Sequence, residues 1–362
     1  MNRILLLLCF LSVAFTLPAQ HLQPGFDKAE FLELLRLSAR QADSAYFMKL
    51  PEPRHFVMTY RSPVVGLDNR WDLWVCEDST AVISIRGSVR SATSWLANFY
   101  AAMAPAKGRL QLSDGDYFDY QLAKNPRAAV HVGWLAATAF LSRDIVPKIK
   151  LGYGQGVDEF LITGHSQGGA IAYLLTAYLY NLQERGELPA DIRFKTYCSA
   201  APKPGNLYFA YEYEHKTAGG WAFNVVNSAD WVPETPISIQ TLDDFNETNP
   251  FDQAREVIKQ QKFPQRVALN FAYNKLDKPT RKARENYQKF LGEMTTKSIQ
   301  EHLEGFEPPA FFESNHYVRT GRTIVLFADE AYYQRFPDND EEPFVHHVFE
   351  PYLYLAEQLE EE

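Results

Sequence analysis

Short apolar runs rich in β-branched and aromatic residues recur along this chain: His55 to Arg61, Trp71 to Cys76, Ala81 to Arg86, Glu159 to Gly164, Phe194 to Ser199, Phe223 to Ser228 and Thr323 to Phe327. Runs of that length predict strands. Between them the apolar positions take helical spacing. Asp27 to Met48 carries a stripe of Phe31, Leu32, Leu34, Leu35 and Leu37, and Ala129 to Lys150, Gln167 to Glu184 and Phe349 to Gln358 read as further helices. Strands alternating with helices at these lengths predict an α/β protein whose mostly parallel sheet is covered on both faces.

Two stretches depart from the alternation. Residues 91–104 predict a short helix on which Trp95, Leu96, Phe99, Tyr100 and Met103 share one face, either as core or as a mobile cover. Residues 241–304 are rich in Lys, Glu, Gln, Asp and Asn with scattered aromatics, and read as a mainly helical insertion before the last strand. The acidic run at 338–342 fits no EF-hand spacing and reads as a solvated turn.

Composition narrows the class. With 362 residues, 46% of them hydrophobic, the chain can bury a sizeable core, and a net charge of -9 leaves no basic surplus for nucleic acid. Residues 1–19 combine Arg3, an apolar stretch from Ile4 to Leu17 and a small residue at Ala19, the pattern of a signal peptide for export to the periplasm or medium. That stretch is short for a membrane span, and no later one is long and apolar enough. Residues 20–362 are therefore expected to form one domain that includes the insertion. Cys9 lies within the signal without the small residues of a lipid-attachment site, and Cys76 and Cys198, in strand-like runs, read as separate buried thiols.

Gly164-His165-Ser166-Gln167-Gly168 joins a predicted strand to a predicted helix, the context that gives a G-x-S-x-G pattern meaning as a nucleophile elbow. The turn is so tight that side chains two positions either side of the serine would collide, and glycine removes them. A serine hydroxyl needs a base, and the base an orienting acid. Asp230 follows the strand Phe223 to Ser228 and is the candidate acid. His316, His346 and His347 are the candidate bases, His302 falling in the insertion. The backbone N–H groups of Gln167 and Ser88 are candidate donors to the oxyanion. Such chemistry calls for no metal or organic cofactor.

Taken together, these residues resemble the class 3 lipases, the fungal-type triacylglycerol lipases of the α/β-hydrolase superfamily. The likeness covers roughly residues 60–236 and the C-terminal 20, with the insertion outside it. It rests on Ile85-Arg86-Gly87-Ser88, Trp95, Val130-His131-Val132-Gly133-Trp134, Gly164 to Gly169, the box at 202–210 with Lys203 in place of an arginine, and Asp230-Trp231-Val232-Pro233. The resemblance implies an α/β-hydrolase fold, hydrolysis of lipid acyl esters, transient contact with a lipid surface through a lid around Trp95, and oxyanion donors at Ser88 and Gln167. It carries the base onto His347, five residues before Tyr352, ahead of His346 and His316. Phospholipase A1 and soluble-ester esterase activities remain open, as does a binding protein that kept the fold without the chemistry and uses the insertion as its docking surface.

Overall fold

The computed structural model describes residues 22–42, 44–76 and 80–360. The expected signal peptide, with Cys9, lies outside the described residues. Helix α1 (Lys28–Ala39) starts at Asp27, whose carboxylate accepts the Glu30 N–H, and is followed by the short α2 (Ser44–Phe47). Strands β1 (Val57–Arg61), β2 (Trp71–Val75) and β3 (Thr80–Ile85) come next. After α3 (Ala92–Phe99) there are four further strands, β4 (Met103–Pro105), β5 (Lys107–Ser113), β6 (Asp116–Gln121) and β7 (Ala129–His131), and then the long α4 (Val132–Gly154).

From there strand and helix alternate: β8 (Glu159–His165), α5 (Gln167–Glu184), β9 (Arg193–Ser199), β10 (Gly205–Asn206), α6 (Leu207–Lys216) and β11 (Ala222–Asn227). The insertion contributes α7 (Ala254–Lys259), α8 (Gln265–Gln288), a π-helical turn Lys289–Met294 and α9 (Thr295–His302). The chain closes with β12 (Tyr317–Val318), β13 (Arg322–Leu326), α10 (Glu330–Arg335) and α11 (Phe349–Glu357).

The central sheet has the order β1-β2-β3-β8-β9-β11-β13 and is parallel from β3 onward. Every residue of β3, β8 and β11 is buried, which is why these strands read as continuous apolar runs. Successive side chains point to opposite faces. Phe160 and Ile162 therefore pack in the core shared with α4 and α5, whereas Leu161 joins the core formed with α1 and α11. This is the α/β-hydrolase architecture, with β8 at the middle of the sheet and its C-terminal end leading into Ser166.

The structure corrects several expectations. Helix α1 ends at Ala39 rather than Met48, and residues 129–131 are the strand β7 before α4 begins. The helix expected over 91–104 stops at Phe99. Tyr100 is fully buried, its phenol donating to Thr296 Oγ1 at 2.8 Å, and Met103 is buried at the start of β4, so neither belongs to an outward face with Trp95, Leu96 and Phe99. The small sheets β12-β10-β7-β4 and β5-β6 are additions that the sequence did not signal. Cys198 is buried in β9 but Cys76, half-buried just past β2, bonds to the Thr80 carbonyl. With β3 and β8 between their strands, the two lie roughly 14 Å apart at ordinary strand spacing, beyond disulfide reach. Among the described residues no helix is long and apolar enough to cross a membrane.

Candidate active site

Ser166 stands between β8 and α5 with φ 59° and ψ -129°. A non-glycine residue in that region is strained by about 1–3 kcal/mol, so the surroundings must hold it. They do so through the Ser166 N–H, which donates to the Ser199 carbonyl at 2.9 Å, and through the Ser166 carbonyl, which accepts from the Gly169 and Ala170 amides. The flanking glycines allow the approach. A Cβ on Gly164 would lie 2.2 Å from the Gly168 carbonyl carbon, and one on Gly168 would lie 2.2 Å from the Ile85 carbonyl oxygen. The hydroxyl is thus lifted off the sheet and remains partly accessible.

The loop after β11 and the loop between α10 and α11 bring the partners. Ser166 Oγ donates to His347 Nε2 at 2.8 Å, and His347 Nδ1 donates to Asp230 Oδ2 at 2.7 Å. The Asp230 carboxylate is shielded from solvent and also accepts the Val232 N–H at 2.9 Å and the Tyr352 hydroxyl at 2.8 Å. Tyr352 accepts in turn from the Asn227 N–H at the end of β11. Burial, reinforced by the Asp230 charge, pushes the Tyr352 phenol well up, so it is a fixed donor at neutral pH. Of the candidate bases only His347 meets the serine. His346 faces away, taking the Tyr332 hydroxyl on Nδ1 at 2.8 Å and donating from Nε2 to Asp338 at 2.9 Å. His316 is not among the serine's partners; its half-buried imidazole is pushed down in pKa by burial.

One member of this cluster escaped the sequence reading. His165, buried beneath the serine, donates from Nε2 to the His347 carbonyl at 2.7 Å and accepts the Ser199 hydroxyl on Nδ1 at 3.0 Å. Burial and the neighbouring His347 push its pKa well down, which keeps the ring in the neutral form those two bonds require.

Ser88 follows β3, and the Gly87 Cα beside it is so near the elbow that a Cβ there would lie 2.8 Å from the His165 carbonyl oxygen and 3.6 Å from Ser166 Cβ. The Ser88 hydroxyl accepts from Asn98 Nδ2 at 2.8 Å, while Asn98 Oδ1 accepts from the Trp134 indole at 3.1 Å and the Asn98 carbonyl accepts from His131 Nε2 at 3.2 Å. His131 stacks on Trp134 at 3.6 Å and takes the Trp134 N–H on Nδ1, capping α4. Burial pushes its pKa down to about 3. Gly133 completes the contact, since a Cβ there would lie 2.0 Å from the Ala97 carbonyl. The back of α3 is thereby clamped to α4 and to the Ser88 loop. Gln167, whose side chain donates to the Ser94 carbonyl at 3.3 Å, ties α3 to the elbow as well. No group among the described residues accepts from the backbone N–H of Ser88 or of Gln167.

Aromatic rings form the rim. Phe344 lies 6.0 Å from Trp95, 5.3 Å from Trp231 and 5.8 Å from His347, and the Trp231 indole donates to the Pro343 carbonyl at 2.7 Å. Phe99, on α3, is exposed.

The arrangement is a serine at a strained strand-to-helix turn with an imidazole and a carboxylate in line. Among known proteins, the model of the family described as Lipase (class 3) matches residues 82–239, which bears out the resemblance over that segment. The secreted mono- and diacylglycerol lipase 1 of Fusarium solani is 27% identical over 177 residues, covering 48% of this chain and 45% of its own length. The chain thus spans about half the length of the curated relative that it matches. Among solved structures, the triacylglyceride lipase of Rhizomucor miehei is 19% identical with a TM-score of 0.42, covering 59% of this chain and 77% of that one. Lip2 lipase from Yarrowia lipolytica is 18% identical with a TM-score of 0.44, covering 59% and 76%.

Proposed function

We propose that this protein is an exported serine hydrolase that cleaves carboxylic esters of lipids. The observation that carries the reading is the continuous hydrogen-bonded path from Ser166 Oγ through His347 to Asp230. In the reaction, Ser166 Oγ attacks the ester carbonyl carbon as its proton passes to His347 Nε2. Asp230, fixed by the Val232 amide and Tyr352, stabilises the imidazolium and holds its orientation. The oxygen that becomes negative is received by the Ser88 and Gln167 amides, each such donor lowering the barrier by roughly 3 kcal/mol. The tetrahedral adduct collapses, the alcohol leaves with the proton from His347, and water, activated by the same imidazole, hydrolyses the acyl-enzyme. Every step uses groups of this chain and water.

The aromatic rim of Trp95, Phe99, Trp231 and Phe344 suits an acyl chain, and the Fusarium relative's name specifies mono- and diacylglycerols. Partial glycerides are accordingly the proposed substrate class. The pattern of residues 1–19 and the relative's secretion support export. A panel of monoacylglycerol, diacylglycerol, phosphatidylcholine and p-nitrophenyl ester substrates tests the reading. Preferred release of fatty acid from the glycerides is expected, and turnover confined to phosphatidylcholine or to the soluble ester would overturn the substrate class.

A further inference from the structure

The insertion carries a surface that the ester-hydrolase site does not use. From α7 through the π-helical turn, residues 254–294, there are ten Lys and Arg against four Asp and Glu, a surplus of six in a chain whose net charge is -9. Of the four acids, Glu256 and Glu285 pair with Lys259 and Lys282, and Glu293 is exposed. Asp277 is buried and binds Arg255 and Arg281, and Asp243 on the body binds Arg281 and Arg284.

The outward side is apolar and basic. Phe263, in the turn before α8, and Val267 and Phe271, four apart on α8, are 76%, 54% and 65% exposed. Val267, Phe271 and Pro279 line a shallow trough with Lys275 and Lys278 at its margin. The Lys275 ammonium lies 5.5 Å over the Phe271 ring, and neither lysine has a carboxylate within ion-pair distance among the described residues.

We propose that this face of α8 and the turn before it docks the protein on an anionic lipid surface, Phe263, Val267 and Phe271 entering the acyl boundary while Lys275 and Lys278 meet the phosphates. Charge decides the occupant: a second copy would set one basic face against another, whereas an anionic surface complements it and repels the acidic remainder of the chain. Large exposed side chains on a basic amphipathic helix suit a fluid interface. The dock is also coupled to the rim of the active site. Helix α9 packs against α3, the Ala102 N–H donates to the Leu291 carbonyl at 3.0 Å, and Phe290, Met294 and Phe99 are all exposed. The inference rests on the lipid-ester reading for its purpose, but binding requires no turnover.

The test is co-sedimentation of the full chain carrying Ser166→Ala with vesicles of phosphatidylcholine alone or mixed with phosphatidylglycerol. Binding is expected to be stronger to the mixed vesicles and to weaken with salt. K275E/K278E should lower it at least roughly 10-fold, taking about 1 kcal/mol per lysine, and F263S/V267S/F271S should lower it to both vesicles. In the Ser166 background both variants should hydrolyse a p-nitrophenyl ester at the parent rate, which shows them folded. Parent-like vesicle binding by both variants overturns the proposal, as does a change confined to self-association in sedimentation equilibrium. If the soluble ester is never hydrolysed yet binding follows this pattern, the hydrolase reading fails and the dock stands.

Discussion

The Nε2 atom of His165 lies 2.7 Å from the carbonyl oxygen of His347. The residue before the proposed nucleophile therefore fixes the backbone of the proposed base, although 182 positions separate them in the chain. Without that bond the imidazole of His347 keeps Asp230 but loses its seat above Ser166. His165→Ala is expected to reduce kcat for a soluble ester roughly 100-fold with KM little changed, since a displacement near 1 Å costs about that much. An unchanged kcat would mean that the bond holds nothing the reaction needs.

Tyr352 supports the proposed acid, Asp230, in a comparable way. Its hydroxyl donates to Asp230 Oδ2 and accepts from Asn227 N–H, and Tyr352→Phe leaves that buried amide without its partner. Unfolding in urea should show a loss of about 1–3 kcal/mol. The same variant should lose kcat rather than gain KM. A rise in KM alone would place Tyr352 in substrate binding instead.

The elbow tolerates no side chain at Gly168. A Cβ would stand 2.2 Å from the Ile85 carbonyl, backbone against backbone, so β3 and α5 must separate. Gly168→Ala should destabilise by more than about 4 kcal/mol, the range reserved for steric failure in a core. Thermal melting checks this, and a shift of a degree or two would contradict it.

Two buried imidazoles give the fold a pH dependence of known sign. His131 is pushed down to about 3 and His165 well below its usual value, both mainly by burial. On acidification the unfolded chain takes up these protons near pH 6.5 while the native protein does not. Stability is therefore full above about 6.5 and is lost as pH falls below it, by up to about 1.4 kcal/mol per pH unit for each ring; the His131 contribution continues to fall toward pH 3. Urea unfolding between pH 7 and 5.5 should show this slope, and His131→Asn should make it shallower. An equal slope in the variant would place the proton uptake elsewhere.

Much of this was legible because the physics was local. Continuous apolar runs marked β3, β8 and β11, and α5 lies where its apolar spacing begins and ends. Glycines flanking Ser166 announced a close approach of backbones. What stayed hidden depends on distant partners. Tyr100 and Met103 have the spacing of one helical face with Trp95 and Phe99, but the Tyr100 phenol is drawn to Thr296 and the helix ends before it. The strands β4, β7, β10 and β12 have two or three residues each, too few to carry a period. His347 stood out from His346 only by its spacing to Tyr352, and the structure supplies the cause, for α11 turns Tyr352 back onto the same carboxylate oxygen that His347 meets.

The central claim is tested most directly by kcat for p-nitrophenyl ester hydrolysis in Ser166→Ala, His347→Ala and His346→Ala side by side. The account predicts a loss of roughly a million-fold in the first two, because a triad serine and its base act as a unit, and a rate near that of the parent in the third. A Ser166→Ala protein that keeps most of its rate, or a His346→Ala protein that loses it while His347→Ala does not, would contradict the account.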